Sequence, residues 1–214
     1  MHCFAHQLQL TLVACARTHT NVTGFFGKVN MVFNFIRSSN KRQELLRGKK
    51  AIHYAYLINE GEIETGSGKN QESSIAQAGD TRWGSHFRTL CGLMTLYSSI
   101  VGVLEEIQND TSFDKHNETI YLLDMFQSFD FIFMLHMMVE ILGITNSLNV
   151  ALQRHDQDLL NALSLVKYNK DELQELRNDG WEKLCLRLLS HVISLMLMCL
   201  IWMLHMSNER KLGS

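Results

Sequence analysis

Proline is absent from this 214-residue chain, where average usage of about 5% would supply roughly ten. Without it the chain lacks its usual helix stops and rigid turns, so long helices become the default expectation. Net charge is small as well, formally -2 at pH 7, which excludes a uniformly basic nucleic-acid module. The five cysteines (Cys3, Cys15, Cys91, Cys185 and Cys199) are odd in number and irregularly spaced. That pattern excludes a disulfide scaffold and points to a reducing compartment. The first twenty residues show no basic stretch leading into an apolar run and a small-residue cleavage site, so secretion is not expected. The one long apolar run, VISLMLMCLIWML at 192–204, is shorter than the roughly twenty residues a spanning helix needs. No membrane partner is expected.

Hydrophobic residues make up 46% of the chain, enough for a packed core and too many for a disordered segment. The charge is divided unevenly. Residues 1–58 carry a net +7 and residues 59–214 a net -9, so a basic head precedes an acidic body.

Apolar spacing is helical almost throughout. Phe4, Leu8, Leu12 and Cys15 predict a helix from about Cys3 to Arg17. Thr20 or Asn21 is the expected cap of a second helix with Phe25, Val29, Val32, Phe33 and Ile36 as its buried stripe. A short basic helix, KRQELLRGKK, follows Ser38-Ser39-Asn40, and the Gly- and Glu-rich stretch 59–79 reads as a loop. Asp80 then caps a long helix with the stripe Trp83, Phe87, Leu90, Met94, Tyr97, Val101 and Leu104. After a break at 109–116, helices are expected over about 116–127, 129–152 and 153–169, the second so apolar that it suits the centre of a core. Leu173, Leu176, Trp181, Leu184, Leu188 and Val192 make a last stripe. By pattern alone the chain is all-α, with at least six helices and no convincing strand pair.

Few constellations carry chemistry. Cys3-x2-His6 and Cys15-x3-His19 hold thiol and imidazole ligands of the kind zinc takes. However, His6 and Cys15 on one helix lie about 13 Å apart along its axis, too far for one ion. The pair Arg82-Trp83 at a helix start reads two ways: as an anion- and base-contacting pair, or with Trp83 as the first residue of the buried stripe. The cluster Arg37, Lys41, Arg42, Arg47, Lys49 and Lys50, interrupted by Glu44 alone, is either a phosphate-contacting patch or a solvated helix face. GSGKN at 66–70 lacks the spacing of a phosphate loop. No nucleophile, base and orienting acid converge, and no metal or other cofactor is implied.

Five segments in order resemble one family. They are CFAHQLQL at 3–10, FFGKVNMVFNFIRSSNKRQELLR, GEIETGSGKNQE, GDTRWGSHFRTL at 79–90 and ALQRHDQDLLNAL at 151–163. Together they resemble the plant TTF-type or MYM-type zinc-finger-like proteins of the hAT transposase superfamily, from residue 2 to about 192. The resemblance implies a ribonuclease-H-like core with three catalytic acids, interrupted by a helical insertion. Its Cys-x2-His motif falls on Cys3 and His6 as supports of the active-site wall, and its Arg-Trp pair, which stabilises a flipped-out base, falls on Arg82 and Trp83. The three acids would lie before residue 1 and beyond residue 214, so no position here carries over as a metal ligand. After Val192 the chain departs from the family's polar continuation.

The expected fold is therefore mainly α: a helical insertion domain plus an incomplete remnant of a ribonuclease-H-like core. Residues 1–58 would be that basic remnant, 59–79 a polar linker, 80–206 the insertion-like domain and 207–214 a polar tail. The function implied is that of a catalytically incomplete, domesticated transposase-like fragment in the nucleus or cytoplasm. It would not be an enzyme, and would make at most weak DNA contact through Arg82, Trp83 and the basic cluster. Full-length relatives are the other implied partners. The alternative expectation is a helical protein-interaction module that does not bind nucleic acid.

Overall fold

The computed structural model describes residues 3–59, 83–110, 116–154 and 158–212. Its helices are α1 (Phe4–Arg17), α2 (Thr20–Arg37), α3 (Asn40–Asn59), α4 (Trp83–Asn109), α5 (His116–Gln127), α6 (Phe129–Ala151) and α7 (Leu159–Leu212). They fall into two compact units, Met1–Leu173 and Gln174–Ser214.

No strand occurs among the described residues, which corrects the expected remnant of a ribonuclease-H-like core. In its expected place, the described residues from 4 to 59 form three successive helices. The reason is visible in α2. Phe25, Val29, Val32, Phe33 and Ile36 repeat at threes and fours, and all five are buried with Phe35. A strand would need alternation, which would turn half of these side chains into water.

Several boundaries differ from expectation. His19, not Thr20 or Asn21, is the extended residue before α2, and it makes no side-chain cap bond. The helix expected to be short, α3, continues to Asn59, because AIHYAYLIN holds no glycine or proline to stop it.

In the first unit α4 packs against α3, α5 and α6. Of its expected stripe, Leu90, Tyr97, Val101 and Leu104 are buried, while Phe87 and Met94 are half-buried. Leu93, Ile100, Val103 and Ile107 are buried as well, since neighbours on several sides confine the wet side of α4 to a strip that includes Arg88, Thr95 and Asn109. Both α4 and α6 are long and apolar enough to cross a bilayer by length and composition. Here their apolar side chains supply the core, α6 adding Phe131, Ile132, Leu135, Met138 and Leu142.

An aromatic chain ties four helices together. Phe25 of α2 meets Phe131 of α6 with ring centroids 5.3 Å apart. Phe131 meets Phe126 of α5 at 4.9 Å, and Phe126 stacks on Tyr97 of α4 at 4.4 Å. Full burial of each such ring contributes about 1.5–3 kcal/mol over leaving it in water. Between α5 and α6 a single residue makes the corner. Ser128 Oγ donates to Met125 O at 2.7 Å and accepts from Phe131 N at 3.3 Å.

The first helix closes onto the later ones. Ala5 and Leu8 pack with Leu148, Leu152, Ala162 and Leu165, and Gln9 Nε2 donates to Asn149 Oδ1 at 2.9 Å. In the second unit, Leu184 and Leu188 of α7 are buried, whereas Trp181, Leu186, Leu189 and Ile193 are exposed. Trp181 therefore lies outside the stripe in which its spacing placed it.

A candidate cleft and the charged positions around the fold

The basic cluster is divided by the helices that carry it. Arg37 and Lys41 are exposed, and Arg47 reaches Glu44 at 3.6 Å on the α3 surface. Arg42 is turned inward. It is buried, its guanidinium lies 4.1 Å from the Phe35 ring centroid, and Nη2 donates to Ser38 Oγ at 2.8 Å. Lys49 crosses to α4, where its ammonium meets the Glu106 carboxylate at 2.7 Å. Its stem runs beside Gly102, where a Cβ would meet Lys49 Cδ at 3.5 Å. Lys50 is half-buried, with Nζ 5.6 Å from the Tyr54 ring centroid. The six cations thus do not share one face, because Arg42 and Lys49 are engaged in helix packing.

Glu105 stands beside this link. Burial pushes its carboxyl above the usual range, with the nearby Lys49 charge pulling the other way. Burial also raises the Cys91 thiol and lifts the Tyr97 phenol far above its ordinary value.

Of the Arg-Trp pair, Arg82 lies outside the described residues, and Trp83 opens α4 with its side chain outside them too. Cys3 caps the N-terminus of α1 without a side-chain bond, and His6 follows in the first turn, both exposed. Among the described residues, no group of three or more His, Cys, Asp or Glu side chains is placed to hold a metal ion.

The geometry brings together a different set. A cleft of about 610 Å³ lies between α6 and the start of α7, with Phe87 of α4 at one side. Ile144, Leu148 and Leu165 give it an apolar wall, and Glu140, Ser147, Tyr168, Asn169 and Glu172 give it polar groups. Gly143 and Phe87 approach closely in its lining, where a Cβ on Gly143 would stand 3.4 Å from the ring. Among the described residues, no lysine, arginine or histidine lines it. Sequence reasoning passed over this set, although one signal was present. Asn169 continues the buried face of Ala162 and Leu165 at helical spacing, and a polar side chain on such a face marks a special site.

No protein-family model matches the chain, and no solved structure matches it. The resemblance to hAT-type, zinc-finger-like transposases is thereby corrected. Its short motifs find no family support, its zinc-finger character has no metal cluster among the described residues, and its ribonuclease-H-like core has no strand there. The DNA-binding identity drawn from that family loses its basis with it.

Proposed function

We propose that the chain is a helical protein-interaction module that engages an amphipathic helix of a partner protein. One observation carries this reading. Leu159, Leu160, Leu163 and Val166 at the start of α7 are exposed by 60, 76, 58 and 38%. At spacings of three and four they share one side of the helix. A contiguous apolar face left in water is a liability unless a partner covers it, and a partner helix matches its periodicity. The division of the basic cluster supports the same reading, since fewer than six cations remain on the surface to face a phosphate backbone.

Photo-cross-linking tests it. A benzoylphenylalanine at position 163 of the full chain is expected to give discrete adducts in cells. They should vanish with L160E and be absent when the probe replaces exposed Asn161 on another side of α7. Salt-dependent binding of labelled hairpin DNA, lost on neutralising Arg37, Lys41, Arg47 and Lys50, would overturn the reading.

A further inference from the structure

The cleft between α6 and α7 holds a polar group whose needs are unmet. Asn169 is 5% exposed, and its Oδ1 has no hydrogen-bond partner. An acceptor buried in this way bears its full desolvation cost. Folded proteins keep few such atoms, and each calls for a donor. Asn169 lines the cleft, so a donor can arrive from that side, with the carboxamide turning about its soft terminal torsion to meet it.

The remaining lining specifies the donor. Among the described lining residues, Glu172 brings a carboxylate to the cleft beside Asn169. An anion would meet like charge, and a purely apolar group would leave Asn169 unmet. A cation on an apolar stem satisfies both the walls and the acceptors. Asn169 and Glu172 are three residues apart on α7, one turn along the same side. Two oxygen acceptors one above the other suit the planar fork of a guanidinium better than the point charge of an ammonium. Phe87 and Tyr168 supply aromatic surface for its stem.

We propose that this cleft receives an arginine side chain presented by a partner protein, its guanidinium donating to Asn169 and Glu172. The assignment rests on the reading of the chain as a protein-interaction module and adds the side chain that the module selects. The stripe of Leu159 and Leu163 lies on a different side of α7, so the two surfaces are separable by mutation.

The test is a ¹⁵N NMR titration of the full chain with Nα-acetyl-arginine methylamide, alongside the citrulline analogue of the same shape and agmatine. Arginine should cause saturable shifts at the Asn169 side-chain amide, and citrulline should bind about tenfold more weakly, as loss of a charge-assisted contact implies. E172Q should weaken arginine by a similar factor. N169L should abolish the shifts at Leu165 and Tyr168 while leaving Tm equal or higher, since it removes an acceptor that lacks a partner. No saturable shift, or citrulline binding as tightly as arginine, overturns the proposal. Agmatine binding more tightly than the blocked arginine overturns the assignment to a partner's side chain. If arginine fails to bind while cross-links at position 163 persist, the cleft assignment falls and the module reading stands. Arginine binding with no cross-links at 163 upholds the cleft's chemistry and removes the module reading.

Discussion

At the scale of single residues, the fold depends on polar atoms placed inside an apolar core. Tyr97 Oη donates to Phe126 O at 2.7 Å within the core, satisfying a carbonyl in the last turn of α5 that has no acceptor role within its own helix. Tyr97→Phe should therefore cost about 1–2 kcal/mol in urea unfolding, more than a surface hydroxyl, because the carbonyl is left buried and bare. Glu105 offers a second case, with a sign that depends on pH. Its carboxyl is pushed up by burial, so folding disfavours its charged form. The penalty is present at pH 7 and disappears below about pH 4, where the carboxyl is protonated in both folded and unfolded states. Glu105→Gln should raise the urea midpoint at pH 7 and leave it unchanged at about pH 3. A gain of the same size at both pH values would mean that charge is not the cause. Tyr97 was legible in the sequence as a stripe residue, but its hydroxyl's partner lies on another helix and leaves no trace in local spacing. Glu105 reads in sequence as an ordinary surface acid, since its burial depends on how closely α3 and α4 approach.

At the scale of elements, local periodicity predicted more than the family resemblance did. The extent of α1 follows from Phe4, Leu8, Leu12 and Cys15 to within a residue of Phe4–Arg17. The α4 stripe marked a buried helix but not its role, because Leu93, Ile100 and Ile107 are buried only by what surrounds them. The central position expected for α6 is shared with α4, whose neighbours lie on several sides. By contrast, the resemblance placed a sheet remnant over residues whose spacing was helical, and the spacing prevailed. The α5–α6 corner shows how little chain a change of direction needs without proline. Ser128 alone ends one helix and caps the next. Ser128→Ala should cost about 1 kcal/mol, typical of a lost N-cap, and should speed amide exchange at Phe131. Unchanged stability would show that backbone packing alone holds the corner.

At the scale of the whole molecule, the apolar surface is unevenly distributed. Exposed large apolar side chains such as Leu10, Ile52, Phe129 and Val150 are spread over several helices, whereas Leu159, Leu160 and Leu163 stand together in water at the start of α7. The double variant L160E/L163E should therefore change the unfolding free energy by no more than about 0.5 kcal/mol per substitution, and should raise the concentration at which the chain aggregates. A large loss of Tm would place these leucines in the core. The candidate cleft belongs to this scale as well, since it exists only where α4, α6 and α7 meet. For that reason the sequence did not reveal it, while Cys3-x2-His6, conspicuous in one dimension, has both side chains exposed at the start of α1.

The contact between the first helix and the later ones has a consequence for synthesis. Ala5 must wait for Leu148, Leu152 and Ala162 to be made before it can be covered. At roughly 5–20 residues per second, that delay lasts about 8–30 s. Throughout it, the apolar side of α1 is presented to water by a nascent chain still attached to its ribosome, long enough for a chaperone to be its first companion.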